Sequence, residues 1–81
     1  MIIKKTVHFQ DGLHSRNAML LAELAREYNG DLKIISKNGQ PLNIDCRSII
    51  SIILGQILEN DEIELETNTN EVAIKLDNIF K

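Results

Sequence analysis

What the chain lacks narrows its chemistry before any motif is read. Cys46 is the single cysteine, so no internal disulfide can form, which makes a reducing cytoplasm the expected compartment. One Cys and two separated histidines, His8 and His14, cannot build a zinc mini-domain, and no metal or cofactor is expected. Tryptophan is absent and aromatics are only 4% of the chain, so aliphatic side chains must fill the core. The longest near-continuous apolar run, Ile49 to Leu54, is far too short to span a bilayer. Met1 to Lys5 lacks the order of charge, apolar stretch and cleavage site that a signal peptide needs. Excess positive charge is missing too. Nine Lys and Arg against twelve Asp and Glu give a formal charge of −3, which argues against non-specific nucleic-acid binding.

What remains is a chain of 81 residues, 43% hydrophobic and 26% charged, expected to form one small globular domain over residues 1–81. Thirteen of its residues are isoleucine. Ile3, Val7 and Phe9 share one parity of a first strand, with Lys5 interrupting the buried set, and Asp11-Gly12 breaks that strand. From Ser15 to Tyr28 the period turns helical: Ala18, Leu21, Ala22, Ala25 and Tyr28 line one face. Asn29-Gly30 is the helix stop. Asp31 to Lys37 reads as a second strand with Leu32, Ile34 and Ser36 on one side, and Asn38-Gly39 is a strong hairpin signal. Leu42 to Ile44 returns; Pro41 confines that strand to an edge or delays its start. Arg47 to Gly55 reads as a short apolar helix, although a β-branched isoleucine run also suits a buried strand.

Asp61 to Thr67 alternates Ile63 and Leu65 against Glu62, Glu64 and Glu66, and the acidic run from Glu59 to Glu66 reads as a solvated face. Asn68 or Thr69 caps a last helix, with Asn68-x-x-Glu71 approximating a capping box and Val72, Leu76, Ile79 and Phe80 on its buried face. The order β-α-β-β-α-β-α predicts an α+β fold, a four-stranded antiparallel sheet covered on one face by three helices.

The chemistry concentrates in Gly12-Leu13-His14-Ser15-Arg16, where the first strand gives way to the first helix. Imidazole, as a residue type, titrates near neutrality and offers a nucleophile at cellular pH. The first N–H groups of a helix have no internal partner and favour an anion. Arg16 adds a guanidinium fork suited to phosphate oxygens. Together these suit a phosphoryl group held covalently on nitrogen. No carboxylate pair, Ser-His-Asp set or phosphate-binding glycine loop accompanies them, so a phosphoryl carrier fits better than a stand-alone enzyme.

At this point the chain resembles a known family. Gly12-Leu13-His14-Ser15-Arg16-x-Ala18 is similar to the active-site motif of HPr, the histidine-containing phosphocarrier of the bacterial sugar phosphotransferase system. Asp45-Cys46-Arg47-Ser48-Ile49-Ile50-Ser51-Ile52-Ile53 is similar to the family segment around its regulatory serine. The resemblance implies an HPr-like open-faced β-sandwich. It also implies that His14 takes phosphate on its δ nitrogen from Enzyme I and gives it to sugar-specific Enzyme IIA, with Arg16 steadying the phosphoryl group and Gly12 and Ser15 in support. Asn17, this chain's own residue, adds a donor and a side chain near the phosphate. Ser48 would be the counterpart of the serine modified by HPr kinase/phosphorylase, with Arg47 beside it. One departure stands inside the motif: the family normally has proline after the active-site arginine, and this chain has Asn17.

That departure leaves an alternative open, an HPr-like regulatory module switched at Ser48 that binds a catabolite-control transcription regulator and passes little phosphate through His14. Met19 falls on the helical face of Glu23 and Arg26, and the second helix holds more isoleucine than one stripe can bury. Met19, Arg47, Ile49, Ile50 and Ile53 are therefore the expected docking residues, with Ile52 in the core. Cys46 is expected to be buried, His8 to face outward, and a carrier that shows His14 to two partners in turn to be a monomer.

Overall fold

Alternation and helical periodicity place each apolar stripe on the same side of one sheet. The computed structural model describes all of residues 1–81. Its elements are β1 (Ile2–Thr6), α1 (Ser15–Glu27), β2 (Lys33–Lys37), β3 (Gln40–Asp45), α2 (Ile49–Leu54), β4 (Glu62–Glu66) and α3 (Asn70–Ile79). The strands form one sheet in the order β1-β4-β2-β3, every neighbouring pair antiparallel. Val7, Ile34, Ile63 and Leu65 from the sheet side meet Leu21, Ile52 and Leu76 from the three helices in one buried cluster. The opposite face of the sheet carries Lys4, Ser36, Glu62 and Glu64, so the architecture is an open-faced sandwich with helices on one side. No helix is long and apolar enough to cross a membrane.

Several local signals act as the sequence suggests. Asn38 and Gly39 adopt φ of 52° and 81°, and Lys37 pairs directly with Gln40, the geometry of a two-residue hairpin turn whose backbone twist matches the strands. α1 ends in a Schellman arrangement, with Gly30 N–H donating to Ala25 O (2.7 Å) and Asn29 N–H to Arg26 O (3.4 Å). β3 lies at the sheet edge, where Pro41 leaves no interior ladder bond unmade. It does not delay the strand, which begins at Gln40. Lys5, on the core-side parity opposite Ile63, reaches the Asp77 carboxylate on α3. α2 is a helix of six residues, shorter than the expected 47–55 span.

Three expectations need correction. Ser36 is buried, but not on the core side shared by Leu32 and Ile34. Register slips between Ile34 and Ser36, so Ile34 sits opposite Leu65 while Ser36 sits opposite Glu64. The bulge turns the following side chains over. Ser36 Oγ donates to Glu64 Oε1 (2.8 Å) on the outer face, and Lys37 Nζ swings to the helix side to donate to the Gly55 and Gln56 carbonyls, each at 3.3 Å. The acidic run is not merely solvated. Asp61 accepts from the Leu58 N–H (2.8 Å) and Asn38 Nδ2 (2.9 Å), which ties the hairpin turn to the loop before β4 and holds its carboxyl below the usual range.

Nor does a capping box open α3. Thr69 is the N-cap without a side-chain cap bond, and Glu71 accepts from Tyr28 Oη instead (2.8 Å). Asp31 supplies the missing anion. Its carboxylate accepts from the Asn68 N–H (3.0 Å) and from the hydroxyls of Thr67 (3.1 Å) and Thr69 (2.5 Å). The Thr69 bond first, then the Asn68 N–H, hold the Asp31 carboxyl below its ordinary value.

Candidate functional site

The loop from Phe9 to His14 is held by backbone contacts before its side chains matter. Gly12 N–H donates to Phe9 O (2.9 Å), and Leu13 N–H donates to Ile57 O (3.0 Å), fastening the loop to the segment between α2 and β4. Only glycine fits at position 12: its φ is 71°, and a Cβ there would lie 2.2 Å from Ile57 O. Leu13 is then 2% exposed and anchors the loop, which leaves His14 on the surface.

His14 is the N-cap of α1, in extended backbone with φ −145°. Its side chain makes no capping bond, which separates it from the usual polar cap. Nδ1 lies 3.0 Å from Ser15 Oγ, a contact whose donor depends on the ring tautomer. Ser15 itself sits at φ 47°, a left-handed conformation in the first helical residue. The N–H groups of Ser15 and Arg16 find no acceptor within the chain, whereas the Asn17 N–H donates to His14 O (3.2 Å). The donor that Asn17 adds in place of proline is thus already engaged. Arg16 is exposed and makes no ion pair or side-chain hydrogen bond, so its guanidinium is available to an incoming anion.

Beside His14 lies an open depression of about 280 Å³, floored by Leu13, Ile53 and Ile57 and edged by Asp11, Gln56 and Leu58. Of the expected docking residues, Met19 (44% exposed) and Ile50 (70%) present their side chains to solvent. Ile49 and Ile53 are half-buried and divide their surfaces between core and solvent, while Ile52 is fully buried. Leu54 and Leu58 are more exposed than Met19, at 74% and 61%, and lie outside the expected docking set. The spacing of Ile50 and Leu54, four residues apart on α2, was the available signal for the first; Leu58 carries none. Asp11, which with Gly12 breaks the first strand, also borders this depression, and no local pattern marks it.

The second motif folds around its own polar contacts. Arg47 is not a free cation: its Nη2 meets Asp45 Oδ2 at 2.7 Å and its Nε lies 3.1 Å from both carboxylate oxygens. That pairing holds the Asp45 carboxyl below its usual range and pushes the guanidinium up. Arg26 Nε donates to Arg47 O (3.1 Å), linking α1 to the start of α2. Ser48 is the N-cap of α2, its Oγ accepting from the Ser51 N–H (3.1 Å). Cys46 is fully buried, and burial pushes its thiol up to about 12, so it is not a reactive thiolate. His8 is exposed just beyond the end of β1.

With this geometry in hand, the chain can be set beside known proteins. A family model described as the PTS HPr component phosphorylation site matches residues 3–80. The chain is 30% identical over 70 residues to the phosphocarrier protein NPr of Klebsiella oxytoca, covering 84% of this chain and 76% of that protein. Among solved structures, the phosphocarrier protein HPr from Bacillus anthracis str. Ames superposes with a TM-score of 0.73 at 24% identity, over 99% of this chain and 92% of that one. HPr-C-His from Thermoanaerobacter tengcongensis gives a TM-score of 0.80 at 18% identity, over 99% and 90% of the two chains. At such identities the structures speak for the fold alone.

Proposed function

The chain belongs to the HPr family of the phosphotransferase system, and from that premise we propose that His14 is its phosphorylated nucleophile, loaded by Enzyme I and unloaded by Enzyme IIA proteins. One observation carries the reading: the N-cap of α1 is a histidine whose ring is exposed and makes no capping bond, so the helix start keeps its anion-binding N–H groups beside a nucleophile. In loading, the Nδ1 lone pair attacks phosphorus in line with the bond to the donor. The new N–P bond forms as the old one breaks, and the contact with Ser15 Oγ is given up. The N–H groups of Ser15 and Arg16, with the Arg16 guanidinium, face the phosphoryl oxygens. Unloading runs the same step backwards onto the acceptor. Nothing in this exchange needs an activating base, because each donor delivers an already activated phosphoryl group.

The apolar surface of Met19, Ile50 and Leu54, with the exposed parts of Ile49 and Ile53, is the proposed docking face for both partners in turn. A carrier of this kind works as a monomer in the cytoplasm. The regulatory reading centred on Ser48 has less support, because that hydroxyl oxygen already serves α2 as its cap and the neighbouring Arg47 is paired with Asp45. Incubation with phosphoenolpyruvate and a competent Enzyme I should give one acid-labile phosphate per chain, lost in His14→Ala. Equal labelling of His14→Ala, or none of the wild type, would sink the proposal. Treatment with HPr kinase/phosphorylase and ATP, read by mass spectrometry, tests Ser48 separately.

A further inference from the structure

The carrier reading leaves Asp11 without a role. Asp11 and His14 line the same depression, whose remaining lining, Leu13, Ile53, Gln56, Ile57 and Leu58, carries no charge. Asp11 makes no side-chain hydrogen bond or ion pair, unlike Asp31, Asp45 and Asp61, each of which is bound to a neighbouring donor. Its carboxylate is thus the one anion of the depression, and nothing in the chain neutralises it. On the helix side of His14 stand the Arg16 guanidinium and two open N–H groups. Opposite charges therefore stand close to His14 in the chain, Asp11 three residues before it in the shared depression and Arg16 two residues after it. Arg16 favours a phosphoryl group and Asp11 opposes one.

We infer that Asp11 sets the poise of the phosphorylated site: it shortens the lifetime of phospho-His14 and raises its tendency to give the phosphoryl group away. This rests on the assignment of His14 as the phosphorylated residue. The carboxylate repels the phosphoryl dianion across the depression, which raises the free energy of the phosphorylated state and favours release of the group. In hydrolysis, water adds to phosphorus, the N–P bond breaks, and His14 and inorganic phosphate are released. Like charges facing each other across a cleft of this size, in the high dielectric of an exposed surface, change such an equilibrium on the order of three- to tenfold.

The test loads the ring without any partner. Phosphoramidate transfers its phosphoryl group to imidazole nitrogen with ammonia leaving, and phosphorus NMR follows the decay of the product. Failure of Enzyme I to label the protein would count against the carrier reading and leave this measurement intact. Asp11→Asn should keep phospho-His14 three- to tenfold longer than the wild type, and Asp11→Glu should decay like the wild type. Added salt should lengthen the wild-type lifetime toward that of Asp11→Asn while leaving the variant nearly unmoved, a response that a merely structural role would not produce. Lifetimes of wild type and Asp11→Asn within twofold of each other, a gap insensitive to salt, or Asp11→Glu decaying like Asp11→Asn would each overturn the inference.

Discussion

The first two helices of this chain begin in opposite ways. α2 is closed at its start: Ser48 turns its hydroxyl oxygen onto the Ser51 N–H, the ordinary solution for an orphan donor. α1 starts with His14, whose ring caps nothing, and the N–H groups of Ser15 and Arg16 are left without a partner. Both N-caps have extended backbone, so the difference lies in the capping side chain and in the left-handed Ser15 that follows His14. A self-capped start is worth about 1 kcal/mol to the fold and is shut to a second anion. An uncapped start forgoes that stabilisation and stays open. The proposed site thus lies at a helix start whose donors are left unsatisfied, and the strained φ of 47° at Ser15 belongs to the same pattern.

The sharpest way to break the comparison is to make the two starts alike. His14→Ser should abolish phosphate uptake entirely in the Enzyme I assay. The same change should raise unfolding stability by about 1 kcal/mol in urea titration, since a serine oxygen at that position can reach the free N–H of the first turn. A variant that both loses uptake and is destabilised by more than that amount would show that His14 supports the fold in a way its missing bonds do not reveal.

Next in size is the loop that presents α1. Gly12→Ala puts a methyl carbon 2.2 Å from Ile57 O at a φ of 71°. Both the clash and the backbone conformation oppose it, and about 2–4 kcal/mol should be lost on chemical denaturation. The nearby Leu13 anchor fails with it, so phosphate uptake should fall even in the molecules that remain folded. At the other helix start, Ser48→Ala removes one capping bond and should cost about 1 kcal/mol without changing uptake at His14. Uptake lost in Ser48→Ala would mean that the two starts are coupled, which the comparison denies.

Much of this was legible in the sequence, and the exceptions share a cause. Asn38-Gly39, the Asn29-Gly30 stop and Pro41 at an edge are decided by a residue and its immediate neighbours, and each took the form expected. The fold order followed from hydrophobic period alone. The bulge at Ile34 to Ser36 is decided by pairing with β4 and β3, and no property of the segment Lys33 to Lys37 announces it. Asp31 read as the beginning of a strand, although its partners are 36 to 38 residues away. The candidate site divides the same way. His14 and Arg16 stood out in a local motif, but Asp11 acquires meaning only through the depression that it shares with His14, Ile53 and Leu58.

Asp31 also offers a third helix start for comparison, one served from a distance. Its carboxyl is held below the ordinary value by the bonds from Thr69, Asn68 and Thr67, as Asp45 is by Arg47 and Asp61 by the Leu58 N–H. The unfolded chain binds protons on these groups at a higher pH than the folded chain does. Their contribution is therefore complete above the ordinary carboxylate range and disappears as the pH falls through the folded values. Thermal melting between pH 6 and pH 3 should show stability falling most steeply in the acid part of that range. Asp31→Asn should be less stable than the wild type at pH 6, with the gap narrowing toward pH 3. A constant gap would assign the role of Asp31 to shape rather than charge.

The smallest effect should come from restoring the family residue inside the open start. Asn17→Pro removes the N–H that donates to His14 O at 3.2 Å. A hydrogen bond of that length, at an exposed turn, contributes about 0.5–1 kcal/mol. Proline in the first turn of a helix returns a similar amount, about 0.4–1 kcal/mol, by restricting the unfolded chain. The two nearly cancel, so stability should change by less than about 0.5 kcal/mol. The open donors of the site belong to Ser15 and Arg16 and are not touched by the change, which means that the lifetime of phospho-His14 should also stay within about twofold. A larger change in lifetime with stability preserved would place the Asn17 side chain at the phosphoryl group. The α1 start would then owe its character to three residues rather than to His14 and the two donors that follow it.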